Sequence, residues 1–465
     1  MPMKRLLLIV MLFFAATLSA QQVPPNWLGW WWLGFIEEAS LPVNLKFGVA
    51  DGELKPFLYS PLQSKEPMVA TKWSLVDDTL HITHKPSGVR LVLVWNDADS
   101  SFEGSFRQGM LRTQLHMKRT DTLFSIVRPQ TPQPPFPYRE TEVVIERKKA
   151  GVKLAGTLTV PNGKGPFPAV VLVSGSGQQN RDEELLGHKP FLVLADWLAR
   201  QGIAVLRYDD RGVGGSKGEI AKATTFDFAD DAESALEWLR RQKMIDRHHV
   251  GILGHSEGAM IASIVASRNR KVDFVVFLAG PGVKGSEILV QQNARIMELG
   301  GIEPYLNERH DGMLREFYGL TDTLNPASYE ACLLELCEKW SEGLNNEERK
   351  RASLRKADAM MLAQQLQIPW LQQFIRFDPS IFLRKMRCRL LAINGDLDCQ
   401  VIASNLDAVK QATGGRADTR MVAGLNHLMQ HCASGAPNEY MFIEETMAPE
   451  VMSMVSEWIL LQSAR

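Results

Sequence analysis

The chain has 465 residues, of which 45% are hydrophobic and 23% charged, an ordinary composition for a globular protein of two or three domains. Its 52 basic and 53 acidic residues leave a formal net charge of −1. This balance argues against a nucleic-acid or anionic-membrane partner, because such partners are recognised by clustered positive charge.

The first twenty residues have the pattern of a signal peptide. A basic start containing Lys4 and Arg5 precedes an apolar run over residues 6–18, and the small residues 19–20 offer a cleavage site. The run is shorter than the about 20 apolar residues that span a bilayer. We therefore expect residues 1–20 to direct export to the periplasm or the medium, without stable membrane insertion. An uncleaved anchor is the alternative interpretation.

Residues 25–128 are predicted to form a small β-rich domain. Alternating runs such as residues 80–83 and 89–94 recur between turn signals, a spacing typical of an antiparallel sandwich or barrel. The start of this domain is rich in tryptophan, which we interpret as core packing rather than as a membrane-interface or sugar-stacking patch. The residues concerned are Trp27, Trp30, Trp31 and Trp32.

Residues 129–137 are proline-rich and predict a stiff, extended linker at a domain boundary. From residue 138 onward, strand and helix patterns alternate, which predicts a mostly parallel sheet. The candidate strands are 141–146, 154–160, 168–173, 203–208, 249–254, 273–278, 388–394 and 418–422. The candidate helices are 190–201, 226–243, 257–268, 402–412 and 447–461.

A stretch of about a hundred residues separates the sixth candidate strand from the seventh, far more than an ordinary connection. It is rich in Leu, Glu, Lys, Met and Gln, which predicts an inserted helical cap at about 284–380. Four of its acidic residues are interpreted as a solvated helix face, although such a cluster is also what an amine-binding peptidase would need. They are Glu335, Glu338, Glu347 and Glu348.

The segment Gly254-His255-Ser256-Glu257-Gly258 stands between an apolar strand pattern and a helix of small apolar residues. Strand, sharp turn and helix are the context of a nucleophile elbow, which predicts Ser256 as a nucleophile. Residues 214–218 also fit the glycine-x-serine-x-glycine pattern, but they follow a charged stretch and lead into polar sequence. We therefore interpret residues 214–218 as a loop.

A serine nucleophile needs a base and an acid, and candidates for both follow later strands. Asp398 lies in the turn after the seventh strand and is favoured as the acid over Asp396. His427 follows the last strand and is favoured as the base over His431. The order of serine, acid and histidine along the chain is that of the α/β-hydrolase arrangement.

The oxyanion hole is predicted from backbone amides. Residues 170–173 end in Ser174-Gly175-Ser176-Gly177, an open glycine turn after an early central strand. The amides of Ser176 and Glu257 are the two expected donors, and a plain tight turn is the alternative for the first.

Neither a metal-ligand cluster nor a dinucleotide fingerprint is apparent, so no cofactor and no metal are expected. All five cysteines lie in the C-terminal third and do not form a disulfide framework. Cys399 and Cys432 are near the proposed catalytic residues and could approach each other in an oxidising compartment.

Residues 138–465 resemble a bacterial serine esterase (carboxylesterase) of the α/β-hydrolase superfamily, in the group with a helical cap before the acid-bearing strand. The resemblance covers about seven-tenths of the chain. The resemblance rests on six sets of residues. They are Val173-Ser174-Gly175-Ser176-Gly177 with Arg181-Asp182-Glu183, residues 208–216, Gly254-His255-Ser256-Glu257-Gly258, Pro369-Trp370 with Phe377-Asp378-Pro379, residues 394–401, and Leu425-Asn426-His427.

The resemblance implies an α/β-hydrolase fold, hydrolysis of a small-molecule ester, and a triad of Ser256, Asp398 and His427. Many relatives have histidine-glycine in the oxyanion loop where this chain has Ser174-Gly175. Because the donor is a backbone amide, the change should not abolish the oxyanion hole. A peptidase with the same triad, resembling an aminopeptidase, is the alternative.

Overall fold

The structure is a computed structural model that describes residues 23–36, 41–61, 64, 66–109, 111–125 and 127–463. It consists of two compact units, which divide between residues 126 and 127. The predicted signal peptide, residues 1–20, lies outside the described residues. Among the helices that are described, none combines the length and the apolar character needed to cross a bilayer.

The first unit is an antiparallel β meander. Its strands are Trp31–Ile36 (β1), Leu41–Ala50 (β2), Glu53–Tyr59 (β3), Met68–Val69 (β4), Lys72–Val76 (β5), Thr79–His84 (β6), Val89–Asn96 (β7), Ser101–Gln108 (β8) and Leu111–Thr120 (β9). They pair in the order β4-β3-β2-β1-β9-β8-β7-β6-β5. The two edges, β4 and β5, are consecutive in the chain, and residues 68–76 pair with β3 at one end and with β6 at the other. The meander is therefore closed into a barrel.

Aromatic side chains fill this barrel. Trp27 and Trp32 are almost fully buried, and both pack edge-on against Phe102, with ring centroids 4.7 and 5.3 Å away. Each such pair contributes about 0.5–1.5 kcal/mol beyond the burial of its area. Trp30 and Trp31 are only partly buried, and each lies under a cation, Arg119 and Lys46 respectively. Trp27 and Trp32 thus belong to the core, as expected, and Trp30 packs against it, whereas Trp31 is not part of it.

The second unit contains an eight-stranded sheet. Its strands are Tyr138–Arg147 (β10), Val152–Pro161 (β11), Phe167–Val173 (β12), Ala204–Tyr208 (β13), Ile245–His255 (β14), Phe274–Leu278 (β15), Arg389–Gly395 (β16) and Asp418–Val422 (β17). Their order is β10-β11-β13-β12-β14-β15-β16-β17. The pairings of β11 with β10 and β13 are antiparallel, and every other pairing in the sheet is parallel. The predicted α/β-hydrolase fold is confirmed.

The described helices of the second unit follow in chain order. They are Pro190–Arg200 (α1), Thr225–Leu239 (α2), Glu257–Arg268 (α3), Gly285–Leu299 (α4), Pro304–Leu320 (α5), Tyr329–Trp340 (α6), Asn346–Arg351 (α7), Lys356–Gln365 (α8), Pro369–Phe374 (α9), Ser380–Leu383 (α10), Asn405–Ala412 (α11) and Pro449–Ser463 (α12). Successive residues of β12 point to opposite sides: Val171 packs with α2, α3 and α11, and Leu172 packs with α1 and α12. Burial on both faces explains why the central strands are continuous apolar runs.

Between β15 and β16 the described chain forms α4 to α10, which we call the helical insert, residues 285–383. The insert has a core of its own, in which Phe317, Tyr329 and Leu333 are fully buried. It therefore packs as a subdomain attached to the sheet.

The proline-rich segment 129–137 belongs to the second unit. The guanidinium of Arg128 donates to the carbonyls of Leu186, Met441 and Ile443. The side chain of Gln130 bonds to the backbone of residues 446–447. The start of the segment is thus fixed by hydrogen bonds to the unit that follows it.

Candidate active site

Ser256 occupies a strained turn between β14 and α3, with φ +52° and ψ −119°. Such a backbone costs on the order of 1–3 kcal/mol and persists only where the surroundings enforce it. A Cβ on Gly254 would lie 2.1 Å from the carbonyl oxygen of Gly258, and one on Gly258 would lie 2.0 Å from that of Val173. Only glycine fits at either position. The close crossing of β14, α3 and β12 holds the serine at the carboxyl end of the sheet.

The second serine of the same pattern, Ser216, has a different environment. Its buried hydroxyl donates to the carbonyl of Asp209 at 2.7 Å and accepts from the amide of Ala155 at 2.8 Å. These bonds tie the loop after β13 to β11. Ser216 is therefore a structural residue of a loop.

The structure brings His427 and Asp398 together. His427 Nδ1 lies 2.9 Å from Asp398 Oδ2 and 3.1 Å from Oδ1. The Asp398 side chain is fully buried, and its Oδ1 also accepts from the amides of Gln400 and Val401. A carboxylate held in this way fixes the orientation of the imidazole and stabilises its cation.

The two competing residues are engaged elsewhere. Asp396 Oδ1 accepts from the amide of Gly424 at 2.6 Å and links the loop after β16 to the loop after β17. His431 is half-exposed and lies between Glu445 and Glu450, each 2.9 Å from one ring nitrogen. Burial disfavours the charged form of His431, but the hydrogen bonds and negative charges of Glu445 and Glu450 outweigh it. Together they raise the pKa of His431 above its ordinary value.

Ser256 and His427 line one cavity of about 750 Å³, together with Gly175, Ser176 and Glu257. Among the described residues, no hydrogen bond joins Ser256 Oγ to His427 or to any other group. Catalytic hydrogen bonds are often long in unliganded sites and tighten with substrate. The cavity therefore contains a serine hydroxyl and an oriented imidazole with room for a substrate.

Two amides of this cavity are suited to bind an oxyanion. Gly175 passes so close to the serine that a Cβ on it would lie 3.1 Å from Ser256 Cβ. The amide of the next residue, Ser176, has no acceptor among the described residues. Glu257 is the first residue of α3, where the helix provides no acceptor and its dipole favours negative charge.

A second acid–histidine pair supports this arrangement, and the sequence did not suggest it. Glu183 Oε1 accepts from the amide of Gly175 at 2.6 Å and lies 2.9 Å from His255 Nδ1. His255 Nε2 lies 2.9 Å from the carbonyl oxygen of His427. Since a carbonyl only accepts, Nε2 carries a proton, and an ionised Glu183 requires a second proton on Nδ1.

The environment of His255 favours that doubly protonated form. Burial opposes the charge, but Glu183 and the His427 carbonyl outweigh it and raise the pKa of His255. The pair thus links the oxyanion turn, the strand before the nucleophile and the loop of the proposed base. The only sequence signal was Arg181-Asp182-Glu183, part of the resemblance but without a role assigned to Glu183.

The side chain of Glu257 joins three further parts of the site. It accepts hydrogen bonds from Thr225 of α2, Trp370 of α9 and the Ser176 hydroxyl, at 2.6, 2.8 and 2.8 Å. Burial raises the pKa of this carboxyl. Glu257 therefore connects the nucleophile turn to the helical insert.

All five cysteines are free thiols in the structure. Cys399 Sγ donates to the carbonyl of Gly435, and Cys432 Sγ donates to that of Gly424. Within the described residues, no group of three or more His, Cys, Asp or Glu side chains is arranged to hold a metal ion.

Known sequences resemble parts of this chain. Residues 150–294 match the family X-Pro dipeptidyl-peptidase (S15 family). Esterase EstD of Thermotoga maritima is 38% identical over 157 residues, 33% of this chain and 37% of the relative. Polyketide transferase af380 of Aspergillus fumigatus is 31% identical over 106 residues, 23% of this chain and 34% of the relative. The chain thus spans about a third of the length of these curated relatives.

Solved structures of low sequence identity also match about 70% of the chain. The α/β hydrolase GrgF from Penicillium sp. sh18 is 15% identical with a TM-score of 0.43, covering 70% of this chain and 98% of its own. The Pyrococcus furiosus esterase Pf2001 is 15% identical with a TM-score of 0.42, covering 72% and 98%. Est1E from Butyrivibrio proteoclasticus, with ferulic acid bound, is 16% identical with a TM-score of 0.40, covering 70% and 100%.

Proposed function

We propose that the protein is a serine hydrolase that cleaves carboxylic esters of small molecules through an acyl-enzyme on Ser256. One observation carries the proposal: the strained Ser256 shares a cavity with His427, whose ring nitrogen Nδ1 is hydrogen-bonded to the buried Asp398. A serine becomes a useful nucleophile only beside an oriented base, and this cavity supplies one.

The proposed reaction has two halves. His427 takes the proton of Ser256 as the hydroxyl attacks the ester carbonyl, and the amides of Ser176 and Glu257 stabilise the oxyanion. His427 then protonates the departing alcohol. Water, activated by His427 in the same way, releases the acid and restores the serine, while Asp398 keeps the imidazole oriented.

A peptidase using the same triad is the second candidate, and the match to the X-Pro dipeptidyl-peptidase family favours it. That match ends at residue 294 and so includes Ser256 but neither Asp398 nor His427. The four acidic residues that an amine site would need are on the insert, where Glu335, Glu338 and Glu347 are exposed and Glu348 caps α7. None is among the described residues lining the cavity, and the acids that do line it, Glu183, Glu257 and Asp358, are hydrogen-bonded to other side chains. This supports the esterase proposal.

The two candidates differ in the bond that is cleaved. We expect the purified protein to hydrolyse short p-nitrophenyl esters and to leave aminoacyl p-nitroanilides intact. Ser256→Ala should lower kcat on the esters by about 10⁴-fold or more. Turnover of the anilides without turnover of the esters would make the protein a peptidase, and full ester activity in Ser256→Ala would exclude the triad.

We further propose that the helical insert acts as a cap over the site and that the protein is exported. The cap role is supported by the insert's share of the cavity wall, and export by residues 1–20. The N-terminal sequence of the protein recovered from the producing cell's periplasm or medium should begin near residue 21. Recovery in the cytoplasm with residue 1 in place would exclude export.

A further inference from the structure

The cavity at Ser256 continues beneath the helical insert, where its wall is mainly apolar. Side chains from α4, α5 and α8 form this part, among them Ile288, Leu289, Ile296, Met313 and Leu362. An apolar wall favours an apolar group of the ligand, because water is released from both surfaces.

The cavity lacks a free charge to pair with a charged ligand. No lysine or arginine is among the described residues that line it, and the lining acids are Glu183, Glu257 and Asp358. Each of these carboxylates is already hydrogen-bonded: Glu183 to Gly175 and His255, Glu257 to three side chains, and Asp358 to the guanidinium of Arg355. A charged tail on the ligand would be desolvated here without a partner.

Two polar side chains on α5 line the same cavity without a protein partner. His310 is 8% exposed and Tyr318 is 6% exposed. Within the described part of the chain, neither ring nitrogen of His310 and not the Tyr318 hydroxyl makes a hydrogen bond. Only His310 Nδ1 is sealed from solvent, so Nε2 and the phenol are the atoms that reach the cavity. Both side chains are more than nine-tenths buried and the atoms that reach the cavity have no protein partner, so they can hydrogen-bond to a ligand oxygen bound there.

Both side chains are uncharged near neutral pH. Burial lowers the pKa of His310 to about 4, against a small opposing effect of Asp358, and burial raises the pKa of the Tyr318 phenol. A neutral imidazole nitrogen and a phenol each hydrogen-bond to a hydroxyl or carbonyl oxygen. Eight residues apart on one helix, they are about 12 Å apart along its axis and so meet different points of an extended ligand.

We infer that this part of the cavity binds the acyl group of the substrate as an uncharged, mainly apolar chain that carries a hydroxyl or carbonyl oxygen at a distance from the ester, hydrogen-bonded by His310 or Tyr318. The inference rests on the proposed esterase function. It narrows the substrate class to esters of oxygen-substituted apolar acids.

The test uses p-nitrophenyl decanoate and a series of its analogues, each with one hydroxyl on a successive carbon beyond the third. We expect at least one analogue to exceed decanoate about tenfold in kcat/KM, because a polar group made to bind an oxygen discriminates against its absence. For analogues that end in a carboxylate or an ammonium group, kcat/KM should be about tenfold lower than for decanoate.

Tyr318→Phe and His310→Leu should each lower the advantage in kcat/KM over decanoate to about twofold or less. The loss should affect the analogue whose hydroxyl is hydrogen-bonded by the replaced residue. Tyr329→Phe is the matched control, because it removes the same atom from the insert's core, where the hydroxyl accepts from Arg376 and does not line the cavity. Tyr329→Phe should leave the ratio of kcat/KM for the preferred analogue to kcat/KM for decanoate unchanged. Melting temperatures of all three variants identify any that unfold.

Equal kcat/KM across the series, or a ratio that changes as much in Tyr329→Phe as in Tyr318→Phe, would overturn the inference. Calorimetry on the Ser256→Ala protein tests the inference separately from the proposed esterase activity. It measures the binding of methyl decanoate and its hydroxylated analogues without turnover. A binding preference that Tyr318→Phe removes supports the inference even if the esterase proposal fails. Equal binding contradicts the inference even if esters are hydrolysed.

Discussion

Asp398 and Asp396 lie two residues apart in one turn, yet their carboxylates serve different groups. Asp398 is fully buried and bonded to His427, whereas Asp396 accepts from the amide of Gly424. The difference arises from the direction in which each side chain leaves the turn, which spacing alone does not reveal. This is why both aspartates remained candidates in the sequence and are distinct in the structure.

Replacing each aspartate by asparagine provides a matched comparison. Asp398→Asn keeps the shape but removes the charge that stabilises the imidazolium, so kcat on p-nitrophenyl butyrate should fall about 10⁴-fold. Asp396→Asn retains an oxygen acceptor for Gly424 and should change kcat less than about threefold. An equal loss in both variants would contradict the assignment of the acid.

The Glu183–His255 pair gives a dependence of stability on pH. The pKa of His255 is raised in the folded protein, despite burial, by Glu183 and the His427 carbonyl. Folded His255 therefore binds its proton more tightly than unfolded His255, whose pKa is about 6.5. The resulting stabilisation is fully present below that value and is lost as the pH rises through the folded pKa.

Glu183→Gln removes the carboxylate that raises this pKa. We expect the variant's melting temperature to lie below that of the wild type by several degrees at about pH 6, and by clearly less at about pH 9. Differential scanning calorimetry at both values measures the difference. Glu184→Gln, one residue on and outside this pair, is the control. If the melting temperature of Glu183→Gln lies below that of the wild type by the same amount at both pH values, the ion pair is excluded.

Among the elements, the crossing of α3 over β12 sets the position of the nucleophile. It depends on Gly258, where a Cβ would meet a backbone carbonyl that side-chain movement cannot relieve. The turn of Ser256 is held from the other side by its amide, which donates to the carbonyl of Leu278 on β15 at 2.9 Å. The strain at the serine is thus maintained by two neighbouring strands.

Gly258→Ala should lower the free energy of unfolding by about 3 kcal/mol or more and reduce kcat, because α3 must move away from β12. Gly319→Ala is the control. Gly319 lies in α5 with no atom near its added Cβ, and alanine there should raise stability by about 1 kcal/mol. Urea unfolding of both variants measures the two effects, and equal stabilities would show that the crossing is not tight.

The sequence predicted elements better than it predicted contacts. All eight strands of the second sheet were found, the central ones because strands buried on both faces are continuous apolar runs. Helix α2 was predicted to reach residue 243 but ends at Leu239, and β14 begins at Ile245 rather than at 249. Glu183 was not assigned, because its partner His255 is 72 residues away in the chain. Such a contact depends on the strand order, which periodicity does not contain.

The whole chain contains separate hydrophobic cores. The barrel core includes Trp27 and Trp32, while the cores on the two faces of the second sheet draw only on residues after 140. Separate cores are expected to unfold as separate cooperative units.

Calorimetry of the full chain should therefore show two unfolding transitions. Trp32→Ala removes a fully buried ring from the barrel and should lower one transition by about 3–5 kcal/mol of unfolding free energy. The other transition and ester hydrolysis should be unchanged. A single transition that moves as a whole would show that the units unfold together.

The helical insert leaves and re-enters the sheet at neighbouring strands. β15 and β16 pair directly, and at the base of the insert the amides of Gly285 and Ser286 donate to the carbonyls of Phe377 and Ile375. The ends of the insert are therefore already closed, so the entropy of joining them depends little on the length of chain between. The length of the insert can therefore change at little entropic cost, provided that Trp370 still donates to the buried Glu257 and that Ile288 and Phe374 still pack in the core beside the sheet.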